Sequence, residues 1–286
     1  MSRLDMPRVK LQSGIELNYR LQGSEDKPLI VMMHGYTGSH QRYAENYQDD
    51  FKDDYQFLVY DHKGHGDSDK PAGKTEEENI SLYSLDQLAT DLHDLLVTLK
   101  IDGKDLVLIG HSMGGMVALS YYFLFPSRVK ALVIISSMLG YIPRARDAML
   151  KILDSYKKKR TWSKERILNE NIRLSYSARF FRDNYDLMEK QAEARLKTSQ
   201  EARIYCMENY ILHYDLKERA PDIQVPVLTI HGTRDGVINY RYAKEMGELI
   251  PNCELHLIQK GSHQITDENK EEVLEKIKQF LNRIQF

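Results

Sequence analysis

One glycine-rich segment has the residue types and spacing of a nucleophilic serine site. In the segment Gly110-His111-Ser112-Met113-Gly114-Gly115, a glycine stands two positions before Ser112 and another stands two positions after it. The segment follows an apolar run at 106–109 and opens a stretch with helical character. A serine on such a tight strand-to-helix turn presents its hydroxyl at the strand end, and small neighbours let the backbone pass close by. We therefore expect Ser112 to be a nucleophile rather than an incidental turn residue.

A serine hydroxyl is a weak nucleophile at neutral pH and needs a general base, for which the chain offers ten histidines. We favour His263, which lies in a glycine-containing loop after the last apolar run and before the last helix. His62 and His65 share one loop and could bind a metal, but no cysteine or acidic cluster supports that alternative. Four other histidines lie in the serine turn, in predicted helices or in a predicted strand, and we expect them to be structural: His111, His93, His213 and His256.

The base needs an acidic partner, which should stand at the carboxyl end of a strand. Asp235 follows the apolar run that ends at Ile230, so it is placed correctly. Asp222 precedes the same run and would lie at the wrong end of the strand. The alternative for Asp235 is a turn or helix-capping role ahead of residues 239–249. We expect Asp235 to orient the histidine.

Acyl transfer also needs hydrogen-bond donors for the oxyanion that forms on the substrate. The backbone N–H of Met113, directly after the nucleophile, should be one donor. The backbone N–H of Tyr36 should be the second, because it lies in the loop that follows the apolar run 29–33. Gly35 and Gly38 allow that loop to turn back tightly.

The elements that position these residues are short apolar runs separated by helical segments. A predicted β-hairpin around Ser13-Gly14 comes first, and the later runs do not alternate with polar residues, as expected of parallel strands covered on both faces. These runs are Leu29–Met33, Phe57–Tyr60, Leu106–Ile109, Leu132–Ile135, Val227–Ile230 and Leu255–Ile258. The leucines between 85 and 99 and the apolar residues between 273 and 284 recur at helical spacing. The pattern predicts an α/β fold with a mostly parallel, doubly wound sheet.

The strand-helix alternation is interrupted between about 140 and 220, where charged, helix-forming residues dominate. We interpret this stretch as a helical cap inserted above the carboxyl ends of the strands. The predicted organisation is an α/β core formed by residues 1–139 and 219–286, with a helical cap at 140–218.

Together these segments resemble the α/β-hydrolase superfamily, in its capped branch of carboxylesterases, monoacylglycerol lipases and haloperoxidase-like esterases. The resemblance rests on HGYTGS at 34–39, YDHKGHGDSDK at 60–70, GHSMGG at 110–115, HGTRDGVI at 231–238 and GSHQI at 261–265. The order serine, acid, histidine also matches that superfamily. The resemblance implies that the loop from Asp61 to Ser68 is structural, with Lys63 at a position that is commonly Arg or Lys. It implies no metal and no organic cofactor.

The resemblance favours hydrolysis of a small-molecule carboxylic ester through an acyl-enzyme on Ser112. Epoxide hydrolases and haloalkane dehalogenases of this fold use an aspartate nucleophile, so Ser112 argues against both. Two alternatives stay open, because fold alone does not separate them. One is a hydrolase of C–C bonds or lactones that uses the same three residues, and the other is a ligand receptor with slow turnover.

Composition indicates which partners and which cellular compartment to expect for the chain. The formal net charge is -2, which favours neither nucleic acid nor an anionic membrane as a partner. Neither of the two cysteines, Cys206 and Cys253, has metal-ligand spacing, and a disulfide framework is not expected. The first seven residues contain no signal-peptide-like apolar region, and no apolar run approaches the length of a membrane span. We therefore expect a cytoplasmic protein, of an oligomeric state that the sequence does not indicate.

Overall fold

An eight-stranded sheet forms the centre of the computed structural model, which describes residues 7–141, 143–158 and 161–286. In chain order the strands are β1 (Arg8–Lys10), β2 (Glu16–Gln22), β3 (Leu29–Met33), β4 (Gln56–Tyr60), β5 (Leu106–His111), β6 (Val129–Ile135), β7 (Val227–Gly232) and β8 (Cys253–Ile258). Their order across the sheet is β1-β2-β4-β3-β5-β6-β7-β8. The β1–β2 and β2–β4 pairs are antiparallel and the later pairs are parallel. The predicted hairpin and mostly parallel sheet are confirmed.

Helices cover both faces of the sheet and fill the long connection between β6 and β7. They are α1 (Gln41–Phe51), α2 (Glu76–Leu82), α3 (Leu85–Thr98), α4 (Met113–Leu124), α5 (Pro143–Lys158), α6 (Lys164–Ile167), α7 (Arg173–Ser175), α8 (Ala178–Asp183), α9 (Tyr185–Leu196), α10 (Gln200–Glu208), α11 (Arg241–Leu249), α12 (Ile265–Glu268) and α13 (Lys270–Arg283). The two amphipathic helices predicted near 84–100 and near the C-terminus correspond to α3 and α13.

Alternate residues of the central strands pack into two different apolar clusters, one on each face of the sheet. In β3, Val31 and Met33 join the cluster that includes α3 and α4, whereas Ile30 and Met32 join the cluster that includes α1 and α13. All four side chains are fully buried. Burial on both faces explains why these strands have no polar alternation in the sequence.

The edge strand β8 is less buried than expected of a strand that is covered on both faces. Its residues up to Leu257 are only partly buried, because β8 has a neighbour on one side only. His256, expected to be packed within the sheet, is partly exposed, and its Nε2 lies 2.9 Å from Glu272 Oε1. The apolar side chains of this run predict a strand correctly, but their pattern does not distinguish an edge position from a central one.

The connection between β6 and β7 contains α5 to α10 and two π-helical segments, 168–172 and 209–213. Part of it has an apolar cluster of its own, formed by Ile167, Leu168, Ile172, Tyr176, Met188 and Ala192. Other side chains of the same connection, among them Leu153, Tyr156 and Tyr210, pack with the larger cluster beside the sheet. The division into core and cap stays a prediction, and its residues 1–6, 142, 159 and 160 lie outside the described residues. So does nearly all of the N-terminal segment for which we expect no signal peptide.

Candidate active site

Ser112 lies at the junction of β5 and α4, in a backbone conformation that side chains rarely adopt. Its φ and ψ angles are 55° and -121°. Two contacts hold the turn: the Ser112 N–H donates to the Ile135 carbonyl at 2.8 Å, and Ser137 Oγ donates to the Ser112 carbonyl at 2.8 Å. Such a conformation costs on the order of 1–3 kcal/mol and persists where the surrounding structure enforces it. The turn therefore fixes Ser112 at the carboxyl end of β5.

The glycines around Ser112 are required by close approach of other backbone segments. A Cβ atom on Gly110 would lie 2.3 Å from the Gly114 carbonyl oxygen, and one on Gly114 would lie 2.5 Å from the Met33 carbonyl oxygen. A Cβ on Gly35 would come within 3.0 Å of Ser112 Cβ. The serine turn and the loop after β3 therefore pack directly against each other, as the predicted role of these glycines requires.

His263 lies in the loop between β8 and α12 and contacts Asp235 directly. Its Nδ1 is 2.7 Å from Asp235 Oδ2, and both residues are buried. Because an ionised carboxylate only accepts, Nδ1 carries the proton and Nε2 is the ring nitrogen left for a second partner. The backbone carbonyl of His263 accepts from His111 Nε2 at 3.0 Å, which anchors the loop to the serine turn. His111 thus has the structural role expected of it.

Asp235 follows β7 and is held by four donors. Its Oδ1 accepts the backbone N–H groups of Val237 and Ile238, both at 2.8 Å. Its Oδ2 faces His263 and also lies 3.1 Å from His231 Nε2. Burial acts to raise the pKa of Asp235, but the charge of His263 and the hydrogen bonds from both histidines outweigh it and hold the pKa well below its ordinary value. Asp235 is therefore ionised at neutral pH.

Two further residues lie near the strand that precedes Asp235, and the first of them is where the sequence predicts it. Asp222 is exposed in a short turn that precedes β7, at the opposite end of the strand from Asp235. His231, which was not considered for the site, is fully buried beside Asp235, and its Nε2 also lies 2.8 Å from the Ile238 carbonyl. Its spacing of four residues from Asp235, across the end of a strand, is the one sequence signal that points to this contact.

The two expected oxyanion donors border the same space as Ser112. Met113 is the first residue of α4, so its N–H has no acceptor within the helix. Tyr36 lies in the loop after β3, and its side-chain hydroxyl donates to the Arg203 carbonyl at 2.6 Å. A turn from the Gly38 N–H to the Gly35 carbonyl, 2.9 Å long, shapes this loop.

A cavity of about 220 Å³ opens over these groups. Its walls include Ser112, His263, Tyr36 and Met113. The helical connection between β6 and β7 contributes mainly apolar and aromatic side chains, including Tyr141, Met149, Ile152, Tyr156, Leu174 and Tyr210. A mainly apolar cavity with a few converging polar groups is the usual form of a small-molecule site.

The loop from Asp61 to Ser68 is a buried hydrogen-bonded support. Asp61 Oδ1 accepts from the backbone N–H and from Nδ1 of His40, both at 2.8 Å, and Oδ2 accepts from the Asp67 N–H at 2.9 Å. Lys63 Nζ forms a buried ion pair with Asp91 Oδ2 at 2.9 Å. These contacts agree with the structural role that the resemblance implies for the loop.

The metal alternative at His62 and His65 gains no support from the geometry. Both rings are fully buried, their centroids are 6.3 Å apart, and His34 packs against both of them. Burial lowers the pKa of His65 to about 3 and that of His62 well below its ordinary value. Within residues 7–141, 143–158 and 161–286, no group of three or more His, Cys, Asp or Glu side chains is arranged to hold a metal ion. In the same ranges no helix has the length and apolar character of a membrane span.

Comparison with known proteins places the chain in a family. The family model Hydrolase_4, described as serine aminopeptidase S33, matches residues 24–270. Epoxide hydrolase 1 of Caenorhabditis elegans is 26% identical, over 98% of this chain and 71% of that protein. A cis-3-alkyl-4-alkyloxetan-2-one decarboxylase of Shewanella oneidensis is 26% identical, over 94% of this chain and 86% of that protein.

A similar solved structure is a thermophilic esterase from Thermogutta terrifontis, which superposes with a TM-score of 0.83 at 21% identity. The superposition covers 98% of this chain and 100% of that one, and at this identity it supports the fold alone. The family match, in contrast, spans most of the sequence and includes the serine turn, the Asp235 loop and the His263 loop. The chain is therefore a hydrolase that belongs to the serine aminopeptidase S33 family of the α/β-hydrolase superfamily.

Proposed function

We propose that the chain hydrolyses carboxylic esters, with Ser112 as nucleophile, His263 as general base and Asp235 as the acid that orients it. The observation that carries the proposal is the 2.7 Å contact between His263 Nδ1 and Asp235 Oδ2, made by a histidine that borders the same cavity as Ser112. That contact directs Nε2, the basic nitrogen, away from Asp235 and makes it available to the serine hydroxyl.

The reaction then proceeds in two halves. Ser112 Oγ bonds to the ester carbonyl carbon while its proton moves to His263 Nε2, and the backbone N–H groups of Tyr36 and Met113 donate to the carbonyl oxygen as it becomes negative. The intermediate expels the alcohol, which takes the proton from the imidazolium, and leaves an acyl group on Ser112. Water repeats the sequence: it gives a proton to His263, attacks the acyl carbon and releases the acid as Ser112 recovers its proton.

Two activities suggested by the names of relatives fit the site less well. An epoxide hydrolase of this fold forms its covalent intermediate on an aspartate, and Ser112 occupies that position here. An aminopeptidase must hold the ammonium group of its substrate, for which it needs an unpaired carboxylate. Among the residues that the structure describes, Glu170 is the carboxylate that borders the cavity, and its Oε2 already accepts from Arg166 Nε at 2.9 Å. Lactones are cyclic esters and fall within the proposed chemistry.

The helical connection supplies the part of the cavity that would select the substrate. We propose that it acts as a cap, at residues 140–218, on a core formed by 1–139 and 219–286. Its own apolar cluster gives it internal stability, and its aromatic side chains border the cavity. Each substrate methylene buried there would contribute about 0.8 kcal/mol of binding.

The proposal predicts that the purified protein hydrolyses 4-nitrophenyl esters. A series from acetate to octanoate should release 4-nitrophenolate with a kcat of roughly 1–10³ s⁻¹ for the preferred chain length. The release should be abolished by an organophosphate that blocks serine. A folded protein that binds these esters but turns over none of them would support the receptor alternative instead. Release that continues unchanged after complete reaction with the organophosphate would exclude a serine mechanism.

A further inference from the structure

Arg195, on α9 of the helical connection, is a buried cation that borders the cavity. The residue is only 7% exposed, and its Nε is fully buried without a hydrogen-bond partner among the described residues. Asp267 is the carboxylate close enough to act on its charge. Both oxygens of Asp267 are already engaged, Oδ1 by Arg42 Nε at 2.7 Å and Oδ2 by the Tyr176 hydroxyl. Within the described part of the chain, the Arg195 guanidinium therefore has no hydrogen-bond acceptor.

Two neighbouring arginines differ from Arg195 in having partners for the guanidinium, although Arg203 Nη1 is also buried without a hydrogen-bond partner among the described residues. Arg42 donates from Nε to Asp267, from Nη1 to Gln264 at 2.6 Å and from Nη2 to Thr266 at 2.8 Å. Arg203 donates from Nη2 to the Arg195 carbonyl and lies 4.5 Å from the centre of the Trp162 ring. Arg195 has neither kind of arrangement, although it is buried to a similar degree.

The charges around the cavity leave an excess of one positive charge. Among the described residues, the Arg, Lys, Asp and Glu side chains that border it are Arg42, Glu170 and Arg195. Arg42 is neutralised by Asp267, and Glu170 is neutralised by Arg166. The charge of Arg195 remains, and the nearby Arg42 and Arg203 make its surroundings more positive. The part of the cavity that Arg195 borders is therefore electrostatically suited to an anion, whereas ionised Asp235 lies behind His263.

An uncompensated buried charge is expensive for a folded protein. The desolvation penalty is several kcal/mol per ion unless a partner repays it. Burial lowers the pKa of Arg195 to about 10, so the guanidinium is still charged at neutral pH. Groups that carry such a cost, and that face a cavity containing the reactive residues, are characteristic of ligand sites.

We propose that Arg195 binds a carboxylate of the substrate, so that the preferred substrates are esters or lactones that carry a second, anionic group. This inference rests on the proposed ester hydrolysis at Ser112. A planar guanidinium can donate two parallel N–H groups to a carboxylate, which fixes the orientation of the substrate as well as its affinity. Arg195 would thereby select which ester places its carbonyl over the serine.

Matched pairs of esters test the assignment on either side of the scissile bond. For the acyl side the pair is mono-4-nitrophenyl adipate and its methyl ester, and for the alcohol side it is 4-acetoxybenzoate and its methyl ester. The wild-type protein should prefer the charged member of one pair. Arg195→Met should lower kcat/KM for that member by roughly 10- to 100-fold while the neutral member changes little, since hydrogen bonds to charged groups are the strong ones. Arg195→Lys should restore part of the preference.

A control variant and a stability measurement separate binding from a structural role. Arg179→Gln removes the same charge from an exposed arginine of the connection, whose side chain is 87% exposed. This variant should leave the ratio of kcat/KM between the charged and the neutral ester unchanged. Arg195→Met should melt at the wild-type temperature or above it, because a buried charge without a partner is replaced by an apolar side chain. A large drop in melting temperature together with equal losses on both members of each pair would show that Arg195 is structural and would overturn the assignment.

Calorimetry makes the test independent of turnover. Monomethyl adipate, which carries one carboxylate, should bind to the Ser112→Ala protein at least tenfold more tightly than to the Ser112→Ala, Arg195→Met protein, and dimethyl adipate should not discriminate between them. Equal binding of monomethyl adipate to both would overturn the role of Arg195 and leave ester hydrolysis intact. If the wild type hydrolysed no ester, the proposed function would be overturned instead. The calorimetry would still show whether Arg195 binds a carboxylate.

Discussion

Replacing Ser112 with alanine is expected to lower kcat for aryl ester hydrolysis by roughly 10³-fold or more while the protein stays folded. The hydroxyl supplies the bond to the acyl carbon, so its loss leaves only the contribution of the oxyanion donors and of substrate binding. The serine turn itself is held by hydrogen bonds of the Ser112 backbone to the Ile135 carbonyl and the Ser137 hydroxyl, which the substitution does not remove. The measurement is single-turnover and steady-state hydrolysis of the preferred 4-nitrophenyl ester.

Ser120→Ala is the matched control for this variant. Ser120 is also buried and lies on α4, but it does not border the cavity over Ser112. The control should retain wild-type kcat, and both variants should retain the wild-type circular dichroism spectrum. Comparable activity of Ser112→Ala and the wild type would remove the nucleophile from the proposed mechanism, whereas comparable losses in both variants would indicate a packing effect of α4.

Asp235→Asn is expected to lower kcat by roughly 10²- to 10⁴-fold with little change in KM. The backbone N–H groups of Val237 and Ile238 will hold the amide oxygen, so the amide NH₂ must face His263. His263 Nδ1 must then accept a hydrogen bond, which moves the ring proton to Nε2 and removes the basic nitrogen from Ser112. The loss therefore comes from the wrong tautomer rather than from a changed fold.

Asp222→Asn separates the two acids considered from the sequence. Asp222 is exposed and lies at the far end of β7, so this variant should hydrolyse esters at the wild-type rate. A second control is the pH profile. The residual activity of Asp235→Asn should rise with pH, because hydroxide then replaces the general base. A severe loss in Asp222→Asn with an active Asp235→Asn would transfer the acidic role to Asp222.

The sequence predicts the strands and the serine turn well because both depend on local patterns. The buried runs lack polar alternation, and the glycines at 110 and 114 stand where backbone segments must touch. The pairing of Asp235 with His263 was also inferable, since both follow neighbouring parallel strands and are brought to the same sheet edge. These inferences used only chain order and the rule that sites lie at carboxyl strand ends.

Contacts made by buried polar side chains were harder to predict. His231 sits at a strand end where many polar residues serve as caps, and only the turn after β7 brings its Nε2 to Asp235. Arg195 occurs on α9, whose other cation, Lys190, is exposed. Its burial depends on how α9 packs against the core, which no local pattern encodes. The partly exposed edge position of β8 is another consequence of sheet order rather than of the strand's own residues.

The covalent intermediate on Ser112 is open to a direct measurement. Diisopropyl fluorophosphate should inactivate the protein with one diisopropylphosphoryl group bound per chain, as Ser112 Oγ displaces fluoride from phosphorus. The tryptic peptide 105–128 contains Ser112, Ser120 and Ser127, so fragment-ion mass spectrometry must locate the added mass within it. We predict that the label lies on Ser112 and that its appearance parallels the loss of esterase activity. A label on another residue that parallels the loss of activity, or full activity in a protein labelled completely at Ser112, would contradict the assignment of Ser112 as the nucleophile.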